Sequence, residues 1–237
     1  ARFNPAANLK PGSAATQVIG SSTLRNVLVV VQFSISIGLL IAVCLISQQI
    51  SFTRGKDLGF NKENMLTIPI GDKSRIPAFT AVLNQIPQVK QFSFGAANYG
   101  GGMASLTDGN DPHRVLTTTI LADDQYGPAY ELRLLAGRFP IPSDTNYVSP
   151  LASGTGDVMK VLVNEKLRKD LGFESNEVAI GKHFWYSMGS HKAGIIGVVS
   201  DFNTHSLHRL VTPTLIVQSP TFYKEASIRL EASSDIP

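Results

Sequence analysis

The stretch Gly194–Val217, GIIGVVSDFNTHSLHRLVTPTLIV, places Asp201, His205, His208 and Arg209 just past an apolar run. A carboxylate, two imidazoles and a guanidinium at the end of a strand are the parts of an acid–base pair or a metal site. On a helix His205 and His208 would share a face, with Asp201 four residues before His205. Either chemistry needs a third ligand or a nucleophile. No cysteine lies nearby, and His183 and His191 belong to other predicted strands. Pro213 and the flanking strand-like runs favour a turn over the helical turns that this spacing requires. The structural alternative is a buried strand ended by Gly197 and the Val198–Val199 pair. Asp201 then accepts backbone N–H bonds in the turn, and Leu207 with Leu210 covers the core edge.

Other candidate motifs also lack the partners their chemistry needs. The segment GAANYGGG has no Gly-Lys-Ser/Thr, so it cannot build a phosphate loop. Ser153, Ser190 and Ser200 have no G-x-S-x-G elbow around them. Trp185 and Tyr186 read as core or sheet-surface aromatics. Gly137–Arg138 reads as a helix cap followed by an Arg that pins a carbonyl or an acid. No catalytic, cofactor-binding or metal-ligating residue is assigned, and the chain is expected to be neither an enzyme nor a cofactor protein.

The elements that must position these residues start with an apolar one. Charged residues make up 16% of the 237-residue chain, well below the roughly 25% of soluble domains, and mean hydropathy is +0.07. The net charge of +3 is scattered, without a basic face, which excludes nucleic acid as an expected partner. The single cysteine, Cys44, cannot form an intrachain disulfide. Between Arg25 and Arg54 lie 28 residues without a charge, and a membrane-spanning helix needs about 20. In Val27–Ile46 (VLVVVQFSISIGLLIAVCLI), 14 residues are Val, Ile, Leu or Phe. At about −0.3 to −0.6 kcal/mol each they outweigh Gln32, Ser34 and Ser36. Gln32 and Ser36 share a helix face, which is expected to meet other membrane helices. The run is too long for a core strand or a signal-peptide core and lacks a cleavage site. Basic residues flank both ends, so charge does not decide orientation.

After the span, SQQISFTRGKDLGFNKENM (Ser47–Met65) reads as a helical continuation that breaks at Gly59, with KDLGFNKEN as a solvated stalk. Asn64–Ile70 predicts a strand. Ser74–Val89 predicts an amphipathic helix with Ser74 as N-cap and Pro77 in its first turn. Val89–Gly100 alternates like a second strand, so this opening suggests a split β–α–β unit. A Gly- and Asp-rich loop follows (Gly100–Pro112). Then come a strand over His113–Asp123, a short helix ending at Gly137, and a Pro/Ser/Gly loop over Pro140–Gly156. DVMKVLVNEKLRKDLGF predicts a strand, an N-cap at Asn164 and a helix stopped at Gly172. The remainder is β-rich: HFWYSM, KAGIIGVVSDF, TPTLIVQS and ASIRLEA.

Several of these segments resemble a known family. LRNVLVVVQFSISIGLLIAVCLISQQISFTRGKDLGFNKENMLTIPI is similar to the start of one half of a MacB/FtsX-like ABC transporter permease. YELRLLAGR, VLVNEKLRKDLG, IGKHF and GVVSDFNTHSLHRLVTPTLIV resemble later motifs of that family in the same order. The resemblance implies an α+β protein: one transmembrane helix, then a MacB-like periplasmic core domain with a ferredoxin-like porter part and an inserted β-rich part. It further implies a Bacteroidetes-type duplicated permease, with this chain opening the second half and stopping before the second porter helix and strand.

The expected organisation is a cytoplasmic connector over residues 1–24, a transmembrane helix over 25–50, a stalk over 51–62 and an incomplete periplasmic core domain over 63–237. The expected function is a permease subunit that couples ATP hydrolysis by a partner ATPase to movement of an extracytoplasmic domain. The expected location is the bacterial inner membrane with the main domain in the periplasm. Its expected partners are the ABC ATPase, other transmembrane helices of the same or a second permease half, and the lipid bilayer. The alternative is a membrane-anchored extracytoplasmic sensor or ligand-binding domain.

Overall fold

The computed structural model describes residues 15–55, 58–107, 112–145, 158–186, 191–204 and 210–231. The chain divides into two units, Ala1–Lys56 and Asp57–Pro237.

The first unit contains a single long helix, α1 (Ala15–Gly55). Within Thr23–Phe52 an 18-residue stretch reaches a mean hydropathy of 2.7, and none of it is buried. At 1.5 Å per residue those 30 residues extend roughly 45 Å, longer than a hydrocarbon core of about 30 Å. By length and composition this helix is long and apolar enough to cross a membrane. Ser34 Oγ donates to Val30 O (2.8 Å) and Ser36 Oγ to Gln32 O (2.9 Å). Both serines are therefore satisfied inside their own helix, and the polar face reduces to the Gln32 carboxamide. Helical backbone continues through the polar Gln48–Gln49 pair to Gly55, four residues short of the expected break at Gly59.

The second unit is built on one mixed sheet. Its strands are β1 (Met65–Pro69), β2 (Val89–Ser105), β3 (Val115–Ala122), β4 (Leu134–Gly137), β5 (Met159–Asn164), β6 (His183–Tyr186), β7 (His191–Val199), β8 (Thr214–Val217) and β9 (Glu225–Leu230). Neighbours run β1-β9-β2-β3-β8-β5-β7-β4, with β6 pairing β2 and β7. The short helices are α2 (Ile76–Leu83), α3 (Tyr126–Ala129), α4 (Glu165–Asp170) and α5 (Asn176–Ala179). β9 is antiparallel to both β1 and β2 and lies between them, with α2 connecting the outer two. This is the split β–α–β arrangement the opening segments suggest.

The central strands read as unbroken apolar runs because both their faces are covered. In β5, Val161 and Val163 enter one core with Phe184, Tyr186, Ile195, Leu215 and Val217. Leu162 enters a second core with Ile120, Val199, Phe202 and Ile216. A third core forms under α2 from Leu83, Phe94, Tyr223, Ala226 and Ile228.

Four local expectations are corrected. Ser74 is not an N-cap: it lies inside a 3-10 turn (Lys73–Arg75) capped by Asp72, whose carboxylate accepts from Ser74 N (2.9 Å), while α2 starts after Arg75 without a side-chain cap and ends at Leu83, well before Val89. The Gly100–Pro112 loop starts later than expected, because β2 runs on to Ser105. Its Gly102 lies under the Tyr186 ring, where a Cβ would sit 2.3 Å from the hydroxyl. The helix expected to end at Gly137 stops at Ala129, since Glu131 takes φ 52 and Leu134–Gly137 becomes β4 against β7. Gly137 is thus a strand end at φ 76, not a helix cap. Helix α5, capped by Ser175 Oγ accepting from Val178 N (3.2 Å), is an element beyond the expected ones.

Candidate functional site

Asp201 is the member of the opening constellation whose surroundings can be described; His205, His208 and Arg209 lie outside the described residues. Its Oδ1 accepts from the backbone N of Lys166 at 2.7 Å, 35 residues away in sequence. The acceptance of a backbone N–H is as expected, but the donor is in the first turn of α4 rather than in the turn after β7. A carboxylate at a helix start is favoured by the unsatisfied N–H groups there. Leu210 is 91% exposed, so it does not cover the core edge, and Leu207 is outside the described residues.

The other candidates are similarly dispersed. His183 and His191 pair with Gly194 and Tyr186 on adjacent strands, and since His191 stands an odd three residues from Gly194, the two histidines lie on opposite faces of the sheet. His183 is exposed and His191 buried. Among the described residues no group of three or more His, Cys, Asp or Glu could hold a metal ion. Ser200 N donates to Arg133 O (2.9 Å), while Ser153 and Ser190 are outside the described residues. Tyr186 is fully buried and its hydroxyl meets Thr119 Oγ1, whereas Trp185 is half-buried. Arg138 does pin an acid and a carbonyl. It grips the buried Asp144 at 2.5 and 3.1 Å and donates to Phe139 O at 3.0 Å, while Lys160 reaches the same carboxylate at 2.9 Å. These cations hold the Asp144 carboxyl well below the usual carboxylate range, the Arg138 hydrogen bond contributing most.

What Ser200–Asn203 does receive is the segment that follows the apolar helix in sequence. Leu58–Asn61 is half-buried and hydrogen-bonded to the folded unit, so it is not a solvated stalk. Asn203 N donates to Leu58 O (2.8 Å), Asn61 N to Tyr130 O (3.0 Å) and Leu230 N to Asn64 O (2.9 Å). Gly59, at φ 77, lies so close to β7's exit that a Cβ would fall 2.2 Å from Asp201 O. No other residue accommodates both that conformation and that contact. Phe60 then enters the second core beside Phe202 and meets the Tyr130 ring edge-on at 5.7 Å. Burial raises the Tyr130 hydroxyl pKa above its ordinary value; that hydroxyl shares a 2.9 Å hydrogen bond with Ser227 Oγ.

Arg229 on β9 closes the arrangement. Its guanidinium donates to Ala129 O (2.7 Å), Asn61 O (2.7 Å) and Glu63 O (3.2 Å), and the residue is 4% exposed. Asn61 Nδ2 donates to Glu131 Oε2 at 2.9 Å, which holds that carboxyl below its ordinary value. Glu131 also stands 3.8 Å from Arg229 but is 47% exposed, so the charge pair adds little beyond the carbonyl contacts. Asn64 and Glu131 both take positive φ, 54 and 52, and strained backbone of this kind survives where surrounding contacts over-determine it. An open cleft of about 490 Å³ runs alongside, lined by Gly59, Phe60, Asn61, Glu131, Arg133, Ser200 and Asp201. The site joins backbone to backbone through a buried cation.

The sequence reading took Gly59 only for a helix break and passed over Asn61, Glu131 and Arg229. The available signal was an arginine in the middle of the apolar strand ASIRLEA, a charge that has to find partners once the strand is buried.

No protein-family model and no curated protein sequence matches the chain. Solved structures do. The chain is similar to the extracellular domain of the noncanonic ABC-type transporter YknZ from Gram-positive bacteria (15% identity, 71% of this chain and 83% of that one, TM-score 0.45). It is also similar to the periplasmic region of MacB from Actinobacillus actinomycetemcomitans (18% identity, 75% and 78%, TM-score 0.47). A third similar structure is a domain of a putative permease protein from Porphyromonas gingivalis (19% identity, 66% and 68%, TM-score 0.44).

Proposed function

We propose that this chain is part of the permease subunit of an ABC-type exporter or mechanotransmission system. ATP hydrolysis by a partner ATPase in the cytoplasm moves an extracytoplasmic domain, here residues 63–237, through the helix that precedes it. The membrane is the bacterial inner membrane, and further transmembrane helices of the same or a second permease half surround α1. The ordered motifs shared with MacB/FtsX-like permeases support this reading.

The observation that carries it is continuity. Helical backbone extends without interruption from the apolar Thr23–Phe52 segment to Gly55, and three residues later Leu58 is already hydrogen-bonded to the folded unit. A helix is a stiff element, so displacement at one end of such a rod reaches the other without being absorbed. Flexible chain at the same place would dissipate it.

Inserting Gly-Gly-Pro between Gln48 and Gln49 tests this in the complete protein reconstituted with its ATPase. The expected result is retained ATP hydrolysis with loss of the ATP-dependent change in hydrogen exchange across residues 58–231. An ATP-dependent change of undiminished size in that variant would contradict the lever.

A further inference from the structure

We propose that Leu58–Asn64 is a latch that opens as one unit, with Arg229 as its bolt. Its functional meaning rests on the permease reading, since a latch at this position decides whether a displaced helix moves the folded unit or merely peels off its first residues.

The argument starts from where the segment is held. Its N-terminal residue accepts from Asn203 beyond β7, its middle pairs with Tyr130 beyond α3, and its end pairs with Leu230 on β9. β9 belongs to the third core through Ala226 and Ile228, whereas Phe202 belongs to the second. Seven residues thus tie a strand of the third core to the exit of β7, which packs in the second. Arg229 makes the stitches interdependent. One planar guanidinium serves Asn61 O and Glu63 O on the segment and Ala129 O behind it. It cannot release the segment without leaving buried donors unpaired, so the bonds are lost together or not at all. Lysine cannot reproduce this, because its ammonium is a single point and the three carbonyls are reached by a spread of donors. Gly59 supplies an independent handle: it seats the segment against Asp201 O without touching Arg229.

The test is peptide-resolved hydrogen exchange on the full chain in lipid nanodiscs, comparing wild type with Arg229→Lys and Gly59→Ala. In each variant, exchange at Asn61, Asn203 and Leu230 should accelerate together, on the order of tenfold for loss of hydrogen bonds to a charged group, while β5 and β8 keep their protection. Acceleration confined to residues 225–231, or none at Asn61 and Asn203 in both variants, would overturn the latch. If Arg229→Lys exposes β5 and β8 as well, Gly59→Ala decides by the same criterion. Global opening of both variants would also overturn it, since the segment would then not open separately. The experiment uses neither ATP nor a transported molecule, so a failure of the permease reading leaves its outcome unaffected.

Discussion

Asp123 shows how a single side chain ties pH to stability in this unit. Its carboxylate accepts from Ser93 Oγ (2.6 Å), Phe94 N (2.8 Å) and Gln125 N (3.1 Å). Those bonds favour the charged form, yet burial outweighs them, and with the neighbouring Asp124 it raises the pKa to about 6. The fold therefore prefers the neutral acid. That preference stabilises fully below the unfolded value of about 3.9 and is lost as pH rises through about 6. Thermal unfolding of the full chain in detergent should show this contribution falling between pH 4 and about 6, and Asp123→Asn should remove that slope. A slope unchanged in the variant would refute the assignment. Asp144 runs the other way: its depressed pKa gives stability that is present at neutral pH and is lost progressively as pH falls below the unfolded value of about 3.9. Asp144 is held mainly by Arg138, six residues before it, with Lys160 added from β5, whereas Ser93 and Phe94, the partners of Asp123, lie on another strand and are not written in its local sequence. Asp201 makes the same point. Its acidity, its strand end and the nearby histidines were legible, but its partner 35 residues away was not.

At the scale of elements, legibility followed local chemistry. VLVNEKLRKDLG was read correctly as strand, cap and helix because each signal is local: a β-branched run, an Asn N-cap and a Gly at φ 81 to stop the helix. Gly100–Ser105 and Glu131–Gly137 were misread because tertiary contacts overrode local preference. The former glycines make room for an aromatic ring and for the neighbouring strand, and Leu134–Gly137 is recruited as an edge of the sheet. The Asn164 cap carries more than its helix. Its Oδ1 accepts from Leu167 N (3.0 Å) and from Thr214 N (2.9 Å), and its Nδ2 donates to Thr212 O (2.9 Å), so it also pins the start of β8. Asn164→Ala should lower the unfolding free energy by about 2–4 kcal/mol, the sum of a lost cap and buried groups left unpaired. Asn164→Asp keeps the acceptor and should lose less. Chemical denaturation of the two variants side by side checks the order; equal losses would contradict it.

For the whole molecule, the long apolar helix was the feature most visible in the sequence. It needs nothing beyond composition and length, and the split β–α–β opening followed from alternation and a helix between. The site needed more. Asn61, Glu131 and Arg229 come from three separate stretches and meet only once the sheet has formed, so no spacing rule could have brought them together. The account rests on a rod in lipid with a folded unit outside the cell's inner membrane. Impermeant maleimide labelling of intact cells tests that most directly, using Lys182→Cys at the exposed position just before β6 and Leu40→Cys within the span, each in a Cys44→Ala background. The account predicts rapid labelling at residue 182 without lysis and none at residue 40. Labelling of residue 182 only after the inner membrane is opened, or equal labelling at both positions, would contradict it.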